Sequence, residues 1–258
     1  MTWDPDQYLR FETERSLPFR HLVAAVDHIE PSSIVDLGCG PGGLTASLLD
    51  HWPEARITGI DASEEMIERA SSRVVANGIE FELAEVLDWQ SPKPVDLILS
   101  NACFHWIDDH RALFDHLLPQ LADDGAMAFQ VPANHTEPSH TILGELCSSP
   151  RWRDRLDGLP KTGVQDPQWY IEELNDRDLD ATSWQTTYFH VLDGDEPILE
   201  WVRGTALRPV LRRLPSDDHD AFLSHYGKLL SETYPPHGGR TVFPFKRTFV
   251  VGIGGGQK

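Results

Sequence analysis

Cysteine, basic residues and long apolar runs are all scarce in this chain of 258 residues. The three cysteines, Cys39, Cys103 and Cys147, are odd in number and far apart, which favours neither a disulfide framework nor a closed zinc site. No stretch approaches the roughly 18 apolar residues of a membrane span, and the first residues lack the basic and apolar regions of a secretory signal. We therefore expect a cytoplasmic protein with no membrane partner and no bound metal.

The shortage of basic residues also bears on partners. The chain has 22 Lys and Arg against 41 Asp and Glu, a formal net charge of −19, and such a surface repels the phosphate backbone of nucleic acids. The charge is uneven, because residues 1–194 carry a net charge of −21 and residues 195–258 a net charge of +2. We therefore expect no nucleic-acid partner, and an anionic small molecule would suit the last quarter of the chain.

Short apolar runs alternate with segments of helical periodicity along the first half of the chain. The predicted strands are 34–37, 56–60, 79–83, 95–100 and 126–131. The predicted helices are 17–29, 44–52, 109–118 and one that follows the second strand, with Ser63 as its N-cap and acids in its first turn. Such alternation is typical of parallel strands joined by right-handed crossovers, so the sequence predicts a doubly wound α/β sheet covered on both faces.

The second half of the chain is less regular. Residues 132 to about 180 contain five prolines and are predicted to form a partly helical insertion. Two further strands are predicted over 184–192 and 243–253, and two helices over 196–207 and 216–234. With these the sheet has seven strands.

A glycine turn follows the first strand. Gly38, Gly40 and Gly43 satisfy the dinucleotide pattern G-x-G-x-x-G, and Asp61 lies at the distance expected of a ribose-binding acid. Asp36, however, places a carboxylate near the ligand, where it would repel a pyrophosphate and attract an ammonium group. A nicotinamide dinucleotide, an amino-acid-bearing cofactor and a purely structural turn all remain open, and Asp36 favours the second.

Two segments resemble motifs of a known family. Val35 to Gly42 resembles the first motif of the class I S-adenosylmethionine-dependent methyltransferases, and Gly59 to Ser63 resembles their second. Segments across nearly the whole chain are in addition similar to the trans-aconitate 2-methyltransferase family. These segments are Trp3-Asp4-Pro5 with Tyr8, Phe104-His105-Trp106, Glu137-Pro138-Ser139-His140, Thr186-Thr187-Tyr188, Glu200 to Thr205, Leu207-Arg208-Pro209 and Tyr234-Pro235-Pro236.

The resemblance implies a Rossmann-like, mostly parallel seven-stranded sheet with a partly helical cap. It implies S-adenosyl-L-methionine as cofactor and methylation of a carboxylate of trans-aconitate to its monomethyl ester. The expected layout is a single methyltransferase domain over 1–258, in which residues 1–30 lie over the cofactor, 132–182 form the cap and 183–258 form the substrate side. We expect a monomer, because no symmetric interface is evident in the sequence.

The same resemblance implies the cofactor-binding residues. Asp61 would take the ribose hydroxyls, the backbone of Gly38 and Gly40 would pass beside the methionine portion, and Glu85 would face the adenine, with Asp88 as the competing acid. The other implied cofactor-binding residues are Trp3, Tyr8, Arg15, Asp36, Ala62, Val86, Ser100 and Asn101. For Ser100 and Asn101 a turn leading into a helix is the structural alternative.

The proposed chemistry needs no general base, because carboxylic acids titrate near pH 4 and the acceptor is already ionised at pH 7. It does need cationic groups to orient a tricarboxylate, and arginine binds carboxylates bidentately. Arg203 and Arg208 are therefore the main substrate-binding candidates, with solvated helix charges as the alternative. Tyr188 and His190, two residues apart on one face of a predicted strand, can add hydrogen bonds, and Trp106 can wall the site.

Three other functions stay open at this point. One is a methyltransferase of the same fold that acts on another small carboxylic acid or on a carboxylate-bearing carrier. The second is a nicotinamide-dependent oxidoreductase, against which Asp36 argues. The third is a cofactor-binding module without catalytic activity.

Overall fold

The computed structural model describes residues 12–74, 77–159 and 163–255, with side chains from residue 16 onward. Within this part of the chain, seven strands form one sheet. They are β1 (Ser33–Leu37), β2 (Arg56–Asp61), β3 (Ile79–Leu83), β4 (Val95–Asn101), β5 (Leu121–Pro132), β6 (Leu179–Asp193) and β7 (Arg240–Gly254).

The strand order is β3-β2-β1-β4-β5-β7-β6. The four pairings among β1 to β5 are parallel, with Ile34 of β1 opposite Ile57 of β2 and Leu97 of β4. Because successive strands are added on opposite sides of β1, the order reverses between β1 and β4. In open α/β sheets, ligands bind at such a reversal, beyond the carboxyl ends of the strands.

Ten α-helices lie in the described residues. They are α1 (Glu12–Val26), α2 (Gly43–Ser47), α3 (Glu64–Arg73), α4 (His110–Leu117), α5 (Pro138–Cys147), α6 (Arg153–Leu156), α7 (Pro167–Asn175), α8 (Pro197–Arg203), α9 (Leu207–Arg213) and α10 (Ser216–Thr233). None of these helices has both the length and the apolar character that a membrane span requires.

The chain divides into two compact units. The first contains Met1–Pro132, Gly163–Thr186 and Thr248–Lys258, and the second contains Ala133–Thr162 and Thr187–Arg247. The first unit therefore holds β1 to β5 complete, and the second holds α5, α6 and α8 to α10.

The expected α/β fold is confirmed, including all seven strands and the helical content of 132–182. Two predicted helices differ from the structure. The segment 44–52 is helical only over α2 and continues as a short 3-10 helix, Leu48–Asp50. The predicted helix 196–207 ends at Arg203, with Gly204 as its C-cap, and a second helix, α9, begins at Leu207. Gly204 and Thr205, which lie between the two helices, are both poor helix formers.

Aromatic side chains fill the core of the first unit beneath β4 and β5. Phe104, Phe114, Phe129 and Tyr170 are fully buried, and the ring centroids of Phe104 and Phe129 are 5.1 Å apart. The Tyr170 hydroxyl lies 2.8 Å from Nδ1 of His110, whose Nε2 lies 3.0 Å from the Phe104 carbonyl oxygen. Phe104 is therefore a core residue rather than a wall of the site.

Candidate active site

The loops that follow β1, β2, β3 and β4 all belong to the first unit and leave the sheet at the same edge. Parallel strands place their carboxyl ends together, so the residues after each strand share one crevice. The order reversal between β1 and β4 lies at the centre of this edge. The sequence-predicted cofactor residues between Asp36 and Asn101 lie at the carboxyl ends of these strands or in the loops that follow them.

The loop after β1 depends on glycine at two positions. Gly38 has φ +79°, and a Cβ there would lie 2.4 Å from Cβ of Cys103. Gly40 has φ +56°, and a Cβ there would meet no atom within 4 Å. Both values of φ are costly for other residues. Gly38 is thus needed for packing, whereas Gly40 leaves open space against the backbone that a ligand can fill.

Asp61 joins the loop after β1 to the loop after β2. The Gly40 N–H donates to its Oδ2 at 2.9 Å, and the Ser63 N–H donates to its Oδ1 at 2.8 Å. Burial raises the pKa of Asp61 although both hydrogen bonds lower it. Each oxygen still has a lone pair that can accept from a hydroxyl. Ala62, which lies between Asp61 and Ser63 in the chain, is exposed.

The predicted cap of α3 is confirmed. The Ser63 side chain accepts from the Met66 N–H, and two glutamates occupy the first turn of the helix. The carboxylate of Asp61 is therefore fixed immediately before a helix N-terminus.

Asp36 is almost fully buried. Its Oδ2 accepts a hydrogen bond of 2.6 Å from the hydroxyl of Thr45, on α2. Burial raises the pKa of Asp36 to about 6; the bond from Thr45 lowers the pKa and the nearby Asp61 raises it. Thr45 was missed by sequence reasoning, although it lies only two residues beyond Gly43, on the helix that follows the glycine loop.

Two acids, Glu85 and Asp88, follow β3. Glu85 is exposed, and its carbonyl oxygen accepts from the N–H groups of Asp88 and Trp89 in a tight turn. Burial and the carboxylates of Asp61, Asp36 and Glu85 raise the pKa of the Cys103 thiol, in the loop after β4, to about 12. The choice between Glu85 and Asp88 as the adenine-facing acid stays a prediction.

Two apolar side chains accompany Glu85. Leu83 is paired with Asp61 across β2 and β3 and is half exposed, whereas Val86 is buried in the core of the first unit. A partly exposed leucine beside the ribose-binding candidate gives an adenine ring an apolar surface. Sequence reasoning missed Leu83, because a single strand-end leucine gives no sign of its exposure.

The end of β4 is strained and hydrogen-bonded. The Ser100 hydroxyl donates to the Leu37 carbonyl oxygen at 2.9 Å, and Nε2 of Gln130 donates to Oδ1 of Asn101 at 2.7 Å. Ala102 has φ +56°, which is unusual for a residue with a Cβ and is typical of constrained functional loops. These bonds tie Ser100 to β1 and Asn101 to β5, and their role in cofactor binding stays a prediction.

The three N-terminal candidates lie where the structure describes little or nothing. Trp3 and Tyr8 lie outside the described residues, and Arg15 lies on α1 in the part whose side chains are not described. Their roles stay predictions.

Two substrate-binding candidates meet in the second unit. Tyr188 and His190 project from the same face of β6, are both buried, and stack with ring centroids 6.2 Å apart. His190 also stacks on Trp201 of α8, at 4.7 Å.

The other candidates are placed separately. Arg203 ends α8, and its Nε lies 3.5 Å from Oε1 of Glu200. Arg208 begins the next helix, where burial and the neighbouring Arg212 lower its pKa. Trp106 belongs to the first unit and is 44% exposed. The structure thus brings Tyr188 and His190 together and places both arginines on adjacent helices.

Sequence reasoning also missed Arg247, which is only 4% exposed. The residues of β7 alternate, so that Phe243, Phe245 and Arg247 are buried while Lys246 is half-buried. An arginine in the inward register of a strand is the signal that identifies it.

No group of three or more His, Cys, Asp or Glu side chains in the described ranges could hold a metal ion. All three cysteines are free thiols.

The buried Asp36 generates a test of stability. Its folded pKa of about 6 lies above the ordinary 3.8, so the folded state binds more protons between these values and loses stability as the pH rises through them. We predict that Asp36→Asn, which keeps an acceptor for Thr45, raises the free energy of unfolding at pH 8 by up to about 3 kcal/mol. Denaturant titrations between pH 4 and pH 8 measure this.

The gain in the free energy of unfolding of Asp36→Asn over the wild-type protein should appear as the pH rises from about 4 to about 6, and it should stay constant at higher pH. Asp124→Asn, at an exposed position, serves as the control and should change the free energy of unfolding by less than about 0.5 kcal/mol. A gain for Asp36→Asn that does not depend on pH would contradict the role of burial.

Comparison with known proteins agrees with this geometry. A family model described as a methyltransferase domain matches residues 34–125, which run from β1 to β5. The chain is 43% identical to the trans-aconitate 2-methyltransferase of Streptomyces avermitilis, over 97% of this chain and 96% of that protein. It is 43% identical to the trans-aconitate 2-methyltransferase of Rhodococcus jostii, over 96% of this chain and 98% of that protein.

A solved structure shares the fold. The YcgJ protein of Bacillus subtilis superposes with a TM-score of 0.61 over 92% of this chain and all of that chain, at 16% identity. Sequence identity above 40% along nearly the whole length, together with the glycine loop and the Asp61 carboxylate at the order reversal of the sheet, assigns the chain to the trans-aconitate 2-methyltransferase family.

Proposed function

We propose that this protein is an S-adenosylmethionine-dependent O-methyltransferase that converts a carboxylate of trans-aconitate into its methyl ester. The observation that carries the proposal is the Asp61 carboxylate, held by Gly40 and Ser63 beside the open backbone of Gly40. Membership of the family supports the substrate. The alternatives of an oxidoreductase and of a module without activity have no support from the family to which the chain belongs.

The residues around the crevice fit S-adenosylmethionine. The open space at Gly40 admits a ligand against the backbone, and Asp61 has lone pairs for the two ribose hydroxyls. Asp36 supplies buried negative charge, which favours a ligand with an ammonium and a sulfonium group over one with phosphates. Glu85 can accept a hydrogen bond from the adenine amino group, and Leu83 offers the ring an apolar surface.

The cofactor supplies an electrophilic methyl group on a positively charged sulfur. The protein then has to orient the acceptor carboxylate in line with that methyl group and to remove water from it, because the carboxylate is already ionised. No residue has to remove a proton, and we assign no general base. The acceptor-side candidates, two arginines with a tyrosine and a histidine, suit binding and orientation of an acid.

The acceptor would be bound by residues of the second unit. We assign Arg203 and Arg208 to carboxylate binding and Tyr188 and His190 to hydrogen bonds; the role of Trp106 as a wall of the site stays a prediction from the sequence. The positive net charge of residues 195–258 supports this assignment, because a tricarboxylate needs a basic surface in an otherwise acidic protein. The domain layout expected from the family, with a cap over 132–182, belongs to the same proposal.

We propose that the protein acts as a monomer in the reducing environment of the cytoplasm. Three free thiols far apart in the sequence suit such a compartment.

A methyl-transfer assay across small acids tests the substrate. With trans-aconitate, cis-aconitate, citrate, isocitrate and a malonyl carrier as acceptors, kcat/KM for trans-aconitate should exceed that for citrate by at least about tenfold. Mass spectrometry should show one added methyl group per molecule of acid. If trans-aconitate is no better than citrate, the protein is a methyltransferase of this fold with another acid acceptor.

The Arg203 side chain provides a test of the acceptor site. Removing a charged donor from a carboxylate costs about 10- to 100-fold in binding, so Arg203→Ala should raise KM for trans-aconitate by that factor. The dissociation constant for S-adenosylhomocysteine should change less than about twofold, since the cofactor candidates lie in the first unit.

Arg153→Ala is the matched control. Arg153 is an exposed arginine of the second unit whose Nε lies 3.4 Å from its neighbour Asp154, and its removal should leave both constants unchanged. If Arg203→Ala weakens the binding of the acid and the binding of the cofactor equally, Arg203 has a structural role instead.

A further inference from the structure

Five side chains of the second unit form a buried cluster, which we call the inner cluster: Tyr188, His190, Trp201, Phe245 and Arg247. Two come from β6 and two from β7, each pair in alternate positions on one face, and Trp201 comes from α8. All five are less than 10% exposed. A cluster of this kind is unusual, because two of its members are basic residues.

The geometry of the inner cluster is set by ring contacts. His190 stacks on Trp201 at 4.7 Å and lies 6.2 Å from the Phe245 ring. Cζ of Arg247 lies 5.0 Å from the centroid of the same Phe245 ring. The imidazole and the guanidinium therefore both lie near the Phe245 ring.

Nε2 of His190 is buried and has no hydrogen-bond partner among the described residues. A buried polar atom without a partner costs about 1 to 3 kcal/mol, so such atoms are rare and call for an explanation. Burial and the nearby Arg247 lower the pKa of His190 to about 4. The imidazole is thus neutral at pH 7, and one tautomer presents an N–H at Nε2.

Arg247 supplies the charge. The guanidinium stays protonated at any physiological pH. Burial raises the pKa of Tyr188 and lowers that of His190, and the charge of Arg247 acts on both groups to lower their pKa. In buried apolar surroundings a positive charge attracts an anion more strongly than at the surface. The chemistry of this cluster, a guanidinium next to a neutral imidazole donor, suits a carboxylate.

We propose that Arg247 and His190 hold one carboxylate of the acid substrate, with the guanidinium providing the charge and Nε2–H of His190 a second hydrogen bond. The inference rests on the proposed function and adds Arg247 to it as a specificity-determining residue. A carboxylate paired with a guanidinium is a poor nucleophile, because its charge and lone pairs are engaged. Arg247 therefore binds a carboxylate that is not methylated.

Substrates that lack one carboxylate each test this assignment. Mesaconate, itaconate and (Z)-glutaconate are trans-aconitate without one or another of its three carboxylates. Arg247→Met, which keeps the length and removes the charge, should lower kcat/KM for trans-aconitate about 10- to 100-fold. For the one dicarboxylate that lacks the carboxylate bound by Arg247, the variant should equal the wild-type protein within about threefold.

An equal loss of kcat/KM in Arg247→Met with all four acids, or no loss with any of them, overturns the inference. Calorimetric titration of trans-aconitate into the complex with S-adenosylhomocysteine separates binding from turnover. If the wild-type protein binds the acid and Arg247→Met binds it equally well, the inference is wrong and the proposed function stands. If the wild-type protein binds none of the four acids, both are wrong.

Three further variants keep the test decisive if Arg247→Met does not fold. Arg247→Lys keeps the charge but loses the fork, and should raise KM for trans-aconitate at least about threefold. His190→Gln keeps an N–H near the position of Nε2 and should retain KM within about threefold, whereas His190→Phe should raise KM about tenfold. Wild-type KM values for both Arg247→Lys and His190→Phe, in proteins that bind S-adenosylhomocysteine normally, would overturn the assignment.

Discussion

The carboxylate of Asp61 is the constraint on which the cofactor site depends. It accepts one backbone N–H from the loop after β1 and another from the loop after β2, so the positions of both loops are set by one side chain. Backbone hydrogen bonds from Gly38 and Cys39 to the Ile60 carbonyl oxygen reinforce the same junction. The loop is therefore formed before a ligand arrives, and binding costs little conformational entropy.

Negative charge is concentrated around this junction at an energetic cost. Asp36, Asp61 and Glu85 all act on the thiol of Cys103, and burial raises the pKa of Asp36 and Asp61. Buried carboxylates without a cation destabilise the folded protein. A positively charged cofactor relieves that cost, so the same charges that weaken the empty fold favour a sulfonium and an ammonium group. The acceptor needs the reverse arrangement, and we propose that the basic last quarter of the chain provides it.

Sequence patterns reveal the fold because strand and helix periodicities differ along the chain. The five parallel strands are evident from their apolar runs. The capping serine, Ser63, is evident from the acids that follow it. The early end of α8 at Arg203 is not evident from the sequence, because the apolar pattern continues through Leu207 while the backbone turns at Gly204. Local patterns do not record where tertiary packing stops a helix.

Site residues are predictable only where a motif fixes them. Asp61 follows from its spacing after the glycines, whereas Thr45 and Leu83 are significant only through contacts across the loops. Ser100 shows the opposite case, since its hydroxyl is committed to the Leu37 carbonyl oxygen. Arg247 is visible in the alternation of β7 once the register is known.

The affinity of Asp61→Asn for S-adenosylhomocysteine, measured by calorimetry, tests the central claim most directly. Asparagine keeps one acceptor oxygen but loses the charge and the second acceptor, so one loop contact and one ribose contact are lost together. We expect the dissociation constant to rise at least about 100-fold, with the cooperative unfolding transition retained. An affinity within about twofold of the wild-type value would contradict the account.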